Sequence, residues 1–412
     1  MKHVFAFLVG MFHLAAWGQD VTGAYNKDRR SGCLLWCPYP QQTVVWDGDC
    51  KDKMADGFGH ITWTYGTQET GRYEGYVKNG KPHGQGLYTY ADGGKLQGNF
   101  VEGEFLNLDE PYLKKLTRNS IAITDSTDIY VGDGNAKSLY YHLLLPEGEA
   151  KGALVLLSGA WETTAHVLSA TKELSQLAVD NGLAVIVPSV NQHIMLTREN
   201  LDFLNAVFAD AIAKYRLPKD KFVLGGLSMG GHMSVRYTEL ALEDASQTVV
   251  IPKAVFNVDG PIDLENLYNK WQQALLNERN TNKYEPEYAI RELEKFTGGS
   301  PEKFHEKYVW YSVYSTSEKN GGNARFLAHI PIRTYNDVDV NWWITNRGVD
   351  LYGMNALDQS AMVNYLIGIG NTRAEFINAY GKGYRLEGYR HPHSWSIVDA
   401  KECIPWVLKC LE

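Results

Sequence analysis

Ser228 is the residue of this chain whose type and surroundings best fit it for chemistry. It stands at the centre of residues 226–230, Gly-Leu-Ser-Met-Gly, after the apolar run 221–225 and before the helix-compatible stretch 231–237. Glycines two positions to either side of a serine, between a strand and a helix, predict a sharp turn from which the hydroxyl protrudes. The expected chemistry is nucleophilic attack, which needs a base to take the serine proton and an acid to orient that base.

The elements that would position this serine follow an alternating pattern from about residue 114. Apolar runs at 153–157, 183–187, 222–224 and 254–258 alternate with helix-period segments such as 200–208. Near-continuous apolar strands separated by helices indicate a parallel sheet with both faces covered. A charged segment, about residues 264–323, interrupts the pattern. We interpret it as an insertion, either a lid that shapes the substrate cleft or a plain surface excursion.

Residues 114–412 resemble an α/β-hydrolase, whose catalytic residues follow the chain order Ser, then Asp or Glu, then His. The resemblance implies an α/β fold in which helices flank a mostly parallel central sheet. It also implies a base in the loop between the last strand and the last helix. That loop, between the strand-like run 374–380 and the helix-like end 397–411, holds His391 and His393. We expect His393 to be the base, with His391 as the alternative.

The same resemblance implies an acid in a loop that follows one of the later strands. Asp339 matches the usual position best, after the predicted strand 330–335, and Asp337 lies two residues before it. Asp259, after the predicted strand 254–258, is a third candidate, because some α/β-hydrolases place the acid one strand earlier. We expect Asp339.

The oxyanion of an acyl-transfer reaction must be held by backbone N–H groups. The resemblance implies Met229, which follows the nucleophile, as one donor. The second is expected in loop 158–162, Ser-Gly-Ala-Trp-Glu, where Ala160 matches best and Trp161 is next; related proteins often have His-Gly at its start. Trp161 and the pair Trp342–Trp343 could line an aromatic pocket, but we expect at least two of the three to pack in the core.

Residues 44–108 have a different, glycine and aromatic periodicity. An aromatic–acidic–glycine triplet occurs at 46–48 and 73–75, a weaker one at 96–98, and Gly-x-Gly follows at 57–59 and 84–86. Such self-similarity indicates a repeat architecture of strands joined by tight turns. The segment from Tyr73 to Gly93 closely resembles a MORN repeat, and the weaker resemblance covers about 44–105. It implies stacked β-hairpins, for which contact with a protein or a surface is a candidate role.

The first 18 residues have the features of a secretory signal peptide. A basic start precedes the apolar run 4–12, and the small residues Ala16 and Gly18 predict cleavage before Gln19, which leaves 19–43 as an N-terminal extension. No later run reaches the roughly 20 apolar residues that span a bilayer. We therefore expect a secreted or periplasmic protein without a transmembrane segment.

Composition narrows the classes of partner. A net charge of −8 gives no reason to expect nucleic acid, and 44% hydrophobic residues suit a well-buried core.

Some of the five cysteines are expected to pair in an exported protein, although the sequence does not select the pairs. Cys403 and Cys410 are too far apart to bond within one straight helix. Because Cys-x-x-Cys and His-x-x-x-His patterns are lacking, we expect neither a metal nor a cofactor.

Together these residues predict an exported serine hydrolase that cleaves a carboxylic ester through an acyl-enzyme intermediate. The expected triad is Ser228, Asp339 and His393. Two alternatives remain: a serine peptidase of the same fold, and an inactive hydrolase-like protein that binds or scaffolds through its repeats. Nothing in the sequence selects the substrate.

Overall fold

The computed structural model describes residues 23–122, 129–130, 139–280 and 282–412. The expected signal peptide, residues 1–18, and its cleavage site at Gln19 lie outside the described residues. Within the described ranges, no helix is both long and apolar enough to cross a membrane. The chain divides into two compact units, of which the first contains the described residues up to Glu110 together with Leu386–Tyr389.

The first unit is built from ten strands that pair mostly in antiparallel fashion, and two of them lie in the expected N-terminal extension. In chain order, strands β1 to β10 are Ala24–Lys27, Leu34–Cys37, Thr43–Trp46, Cys50–Lys51, Met54–Ala55, Gly57–Tyr65, Gln68–Lys78, Lys81–Tyr90, Lys95–Val101 and Glu104–Phe105. They form a four-stranded sheet, β1-β2-β5-β4, and a six-stranded sheet, β10-β9-β8-β7-β6-β3. The six-stranded sheet is antiparallel throughout, as hairpin repeats require.

A disulfide and a small aromatic core stabilise this unit. Cys33 and Cys50 are bonded, with a Cα–Cα distance of 5.8 Å, while Cys37, Cys403 and Cys410 are free thiols. Alternate side chains of the long strands point inward, and the buried set includes Trp46, Ile61, Trp63, Tyr73 and Phe100. This alternation is the period of a strand with one covered face.

The second unit contains a large sheet and the helices that cover it. Its strands β11 to β18 are Leu116–Ile121, Leu139–Leu144, Gly152–Leu157, Leu183–Pro188, Phe222–Leu227, Ala254–Val258, Ile332–Asn336 and Ala374–Asn378. After the four-residue helix α1 (Glu110–Leu113), helices α2 to α11 are Thr164–Ala170, Lys172–Asp180, Arg198–Tyr215, Met229–Glu243, Leu264–Leu276, Tyr284–Thr297, Pro301–Tyr311, Val340–Arg347, Asn355–Gly368 and Ala400–Leu411.

The strand order of this sheet is β11-β12-β14-β13-β15-β16-β17-β18. The pairs of β12 with β11 and with β14 are antiparallel, and the remaining pairs are parallel. Every residue of β13, β14, β15, β16 and β17 is buried, because helices cover both faces. The predicted α/β fold, with helices flanking a mostly parallel central sheet, is confirmed, and β13 and β15 lie at the centre of that sheet.

The charged segment that follows β16 forms three helices, α6, α7 and α8, before the chain returns to the sheet at β17. Their apolar faces form a small core of their own, which includes Leu264, Tyr268, Leu293 and Tyr308. This core also takes in Ile194 and Met195 from the loop after β14. The insertion is therefore a packed layer and not an extended loop.

Candidate active site

Ser228 lies on the turn between β15 and α5, and its backbone is strained. Its φ is 57° and its ψ is −125°, a region that residues with a Cβ rarely adopt. The flanking glycines make the turn feasible. A Cβ on Gly226 would overlap the backbone of Gly230, and one on Gly230 would overlap the carbonyl oxygen of Leu157. Strand and helix can therefore approach closely enough to leave the serine side chain at the carboxyl end of the sheet.

His393 is paired with Asp259. Its Nδ1 lies 2.7 Å from Oδ2 of Asp259, and Asp259 is largely buried directly after β16. The backbone keeps this aspartate next to the serine, because Ser228 N–H donates to the carbonyl of Val258 at 2.9 Å. The three residues thus follow the order Ser, Asp, His, with the acid one strand after the nucleophile.

Asp339, the expected acid, lies elsewhere. One carboxylate oxygen accepts from the Trp342 N–H at 3.0 Å and so caps α9, and the other lies 3.0 Å from Arg390 Nη2. Asp337 accepts from the N–H groups of Gly381 and Gly383 and lies 2.8 Å from Arg390 Nη1. The placement therefore differs from the expectation. The carboxylates of Asp337 and Asp339 are bonded to Arg390 and to nearby backbone amides, whereas the carboxylate of Asp259 lies within hydrogen-bond distance of His393.

Two backbone N–H groups beside the serine have no acceptor among the described residues. These are Met229, at the start of α5, and Ala160, in the loop after β13. Trp161, the alternative donor, gives its N–H to the carbonyl of Asn191 at 3.0 Å and has a positive φ of 59°. Because the Trp161 N–H is already bonded, Ala160 is the better candidate in this loop.

Glu162 joins the loop after β13 to the loop that carries His393, a role that sequence reasoning missed. Its Oε2 accepts from Gly159 N–H at 2.8 Å and from Trp395 Nε1 at 3.1 Å. Its Oε1 lies 3.8 Å from Arg385 Nη1. The two partners Gly159 and Trp395 are far apart in the chain, so no local pattern could have revealed the link. One buried carboxylate thus fixes two loops that the predicted reaction needs.

His391, the alternative base, has a different environment from His393. Its ring lies against Trp342 and Trp343, at centroid distances of 4.8 and 5.7 Å, and its Nδ1 accepts from His393 N–H at 3.2 Å. Burial, followed by the guanidinium groups of Arg385 and Arg347, holds the His391 pKa well below its ordinary value. The imidazole is therefore neutral, and it supports the loop of His393.

Aromatic rings from the helical insertion lie beside the loop after β13. The Trp161 ring is 5.1 Å from that of Tyr288 and 6.1 Å from that of Tyr284, both on α7. Trp161, Trp342 and Trp343 are all partly exposed. The expectation that at least two of these tryptophans pack in the core is therefore wrong. They form partly open aromatic surfaces next to the candidate site.

One segment of the first unit matches the model of a known family. The family model for the MORN repeat matches residues 73–95. This segment is a MORN repeat. The match covers the middle of the three predicted periods. Its glycines have a packing role, because Gly75 and Gly86 face each other across β7 and β8 and a Cβ on either would overlap the Tyr73 hydroxyl.

Solved structures similar to this chain include several esterases. Carboxyl esterase 2 of the fungus Tuber melanosporum is 15% identical, with a TM-score of 0.46, and the match covers 72% of this chain and 88% of that one. S-formylglutathione hydrolase from Agrobacterium tumefaciens is 12% identical, with a TM-score of 0.43, and the match covers 72% of this chain and 95% of that one. MPT51 of Mycobacterium tuberculosis is 13% identical, with a TM-score of 0.40, and the match covers 71% of this chain and 97% of that one. No curated protein matches the chain. Activity is therefore inferred from the site geometry.

Proposed function

We propose that this chain is a serine esterase that cleaves a carboxylic ester through an acyl-enzyme intermediate. The observation that carries the proposal is the 2.7 Å contact between His393 Nδ1 and Asp259, beside a serine held in a strained turn at the next strand end. An imidazole oriented by a buried carboxylate is the base that a serine hydroxyl needs. The predicted acid Asp339 is replaced by Asp259 in this proposal.

The proposed reaction uses each group in turn. Ser228 Oγ attacks the ester carbonyl while Nε2 of His393 takes the hydroxyl proton, and Asp259 stabilises the imidazolium. The N–H groups of Met229 and Ala160 hold the oxyanion. Collapse expels the alcohol, which takes the proton from His393. Water then attacks the acyl group by the same route and restores the serine. In the structure the Ser228 hydroxyl has no hydrogen-bond partner among the described residues, and such contacts often tighten only with substrate.

Labelling with a fluorophosphonate tests the nucleophile without knowledge of the substrate. We expect the wild type to be labelled at Ser228 and to hydrolyse short p-nitrophenyl esters. Ser228→Ala should lose both properties, with turnover reduced about a million-fold. Ser360→Ala is a matched control, because that exposed hydroxyl bonds only to a carbonyl of its own helix. Labelling elsewhere, or undiminished turnover in Ser228→Ala, would contradict the mechanism. A folded wild type without labelling would favour the inactive binding or scaffold protein.

We also infer that the protein is exported, as the sequence of residues 1–18 predicts. The disulfide between Cys33 and Cys50 supports this, because disulfides persist mainly in oxidising compartments. Sequencing of the mature protein from its natural source should find Gln19 at the N-terminus. A protein that retains Met1 would refute the export proposal and leave the esterase proposal untouched.

A further inference from the structure

Arg347 carries a charge that no carboxylate of the described residues pairs with. It is the last residue of α9, and its Nη2 lies 3.2 Å from Nε2 of His391. Burial, the largest effect, and the nearby charge of Arg385 lower the Arg347 pKa, against the field of Glu285. Glu285 is not within ion-pair distance, and its carboxylate accepts from the Asn282 side chain instead. Arg347 is partly exposed, so its guanidinium can reach a ligand, and it has no carboxylate partner among the described residues.

The contact with His391 cannot supply that partner. Nδ1 of His391 faces the backbone N–H of His393, which can only donate. A neutral imidazole has one donor and one acceptor nitrogen, so Nε2 carries the proton and faces the Arg347 donor. In the opposite tautomer Nδ1 carries the proton, and two donors then face each other at the His393 N–H. Within the part of the chain that the structure describes, Arg347 therefore has at most one acceptor, an imidazole nitrogen, for its five donors.

Arg385 is the second cation of this region. Its Nη1 lies 3.8 Å from Oε1 of Glu162, beyond hydrogen-bond distance, while the other oxygen of Glu162 is taken by Gly159 and Trp395. Its side chain is 30% exposed, so its donors can reach a ligand. The charges of Arg385 and Arg347 each lower the pKa of His391, the neighbour of the proposed base.

Both arginines lie beside the loops that carry the proposed chemistry. The rings of His391 and His393 are 6.4 Å apart, and Glu162 ties Arg385 to the loop of Ala160. A planar guanidinium binds a carboxylate through two parallel hydrogen bonds, which suits it to recognise such a group. An anion here would meet two guanidinium groups that have no carboxylate within hydrogen-bond distance among the described residues.

We propose that Arg347 and Arg385 form a subsite for a carboxylate carried by the ester substrate. The inference rests on the proposed esterase function and adds to it the substrate class, an ester with an acidic group on either its acyl or its alcohol part. Trp342 and Trp343 border the same region and provide the apolar surface for the intervening part of the substrate.

Two matched pairs of esters test the subsite. Monomethyl adipate and methyl hexanoate differ by a carboxylate on the acyl part, and 4-acetoxybenzoate and 4-acetoxybenzamide differ by one on the alcohol part. We expect the wild type to prefer the charged member of one pair, measured as the ratio of kcat/KM values. Arg347→Gln and Arg385→Gln should each reduce that ratio roughly 10- to 100-fold. Arg347→Lys, which keeps the charge but not the fork, should reduce it less.

Arg279→Gln is the matched control. Arg279 is exposed and donates to the carbonyl of Ile344, which lies on α9, the helix that ends at Arg347. Its ratio should equal that of the wild type. Ratios unchanged by both test substitutions, or reduced equally in the control, overturn the subsite. If the wild type hydrolyses none of the esters, the esterase proposal fails by itself. Calorimetric titration of Ser228→Ala with all four esters then decides the subsite, and equal binding of charged and neutral members overturns it.

Discussion

At the scale of single residues, the candidate site depends on which carboxylate is left for the histidine. Arg390 lies within 3.0 Å of both Asp337 and Asp339, so both carboxylates after β17 already have a guanidinium partner. Asp259 lies instead within hydrogen-bond distance of Nδ1 of His393. A carboxylate already bound to a guanidinium is a poor acceptor for an imidazolium, because two cations would then compete for one charge.

Substitution of the two aspartates should separate their roles. Asp259→Asn removes the charge that orients and stabilises the imidazolium, and we expect kcat for a p-nitrophenyl ester to fall about 10³- to 10⁴-fold. Asp339→Asn should keep kcat within about threefold, since asparagine still caps α9. It should lower the free energy of unfolding by about 1 kcal/mol or less through the lost ion pair. The reverse pattern of kcat values would restore Asp339 as the acid.

At the scale of elements, the turn from β15 to α5 requires close packing of the backbone around it as well as an unusual backbone conformation at Ser228. Gly226 and Gly230 permit helix α5 to begin directly at the strand end, so that its first N–H group belongs to Met229. Helix α5 is buried almost throughout, and its Arg236 and Glu239 form an ion pair away from solvent. The proposed nucleophile therefore stands at the start of a well-packed helix and not in a mobile loop.

Gly230→Ala should break this arrangement, because the added methyl group would overlap the Leu157 carbonyl. We expect a loss of about 2 kcal/mol or more in the free energy of unfolding, measured by urea titration, and loss of fluorophosphonate labelling. Gly368→Ala is the matched control at the end of α10, where a Cβ would meet nothing within 4 Å. It should be neutral or stabilising by about 0.5 kcal/mol. Equal effects of the two substitutions would refute the packing argument.

The elements around the site could be predicted from sequence, whereas the choice of acid could not. Strand β15 and helix α5 are fixed by apolar runs and glycines within a few positions of Ser228. Asp259, Asp337 and Asp339 all follow apolar strands, and the difference between them depends on Arg390, which comes much later in the chain. Glu162 was missed for the same reason, since its partner Trp395 is 233 residues away.

At the scale of the whole molecule, buried histidines link stability to pH. Burial, with a contribution from Arg118, lowers the pKa of His142 to about 4, and burial lowers that of His232 to about 4. The His391 pKa is lowered as well. Each of these groups binds its proton more readily in the unfolded chain, whose histidine pKa is about 6.5. Stability contributed by the neutral form is therefore present above that value and is lost as the pH falls towards 4.

Acidification from pH 7 to pH 5 should lower the free energy of unfolding by roughly 2 kcal/mol for each of His142 and His232. Urea titrations at several pH values measure this slope. In His142→Gln the slope should be shallower by the contribution of one proton, whatever the absolute stability of that variant. A slope identical to that of the wild type would show that His142 is not neutral in the folded protein.

The order of Ser228, Asp259 and His393 along the chain has a consequence for biosynthesis. The proposed base is added 134 residues after the proposed acid, which corresponds to about 7 to 27 seconds of translation. During that interval the nascent chain already contains the sheet centre and the serine turn, but it lacks His393, the imidazole that the proposed mechanism uses to take the serine proton. Under that mechanism, the Ser228 hydroxyl of a growing polypeptide stays unreactive until its synthesis is almost complete.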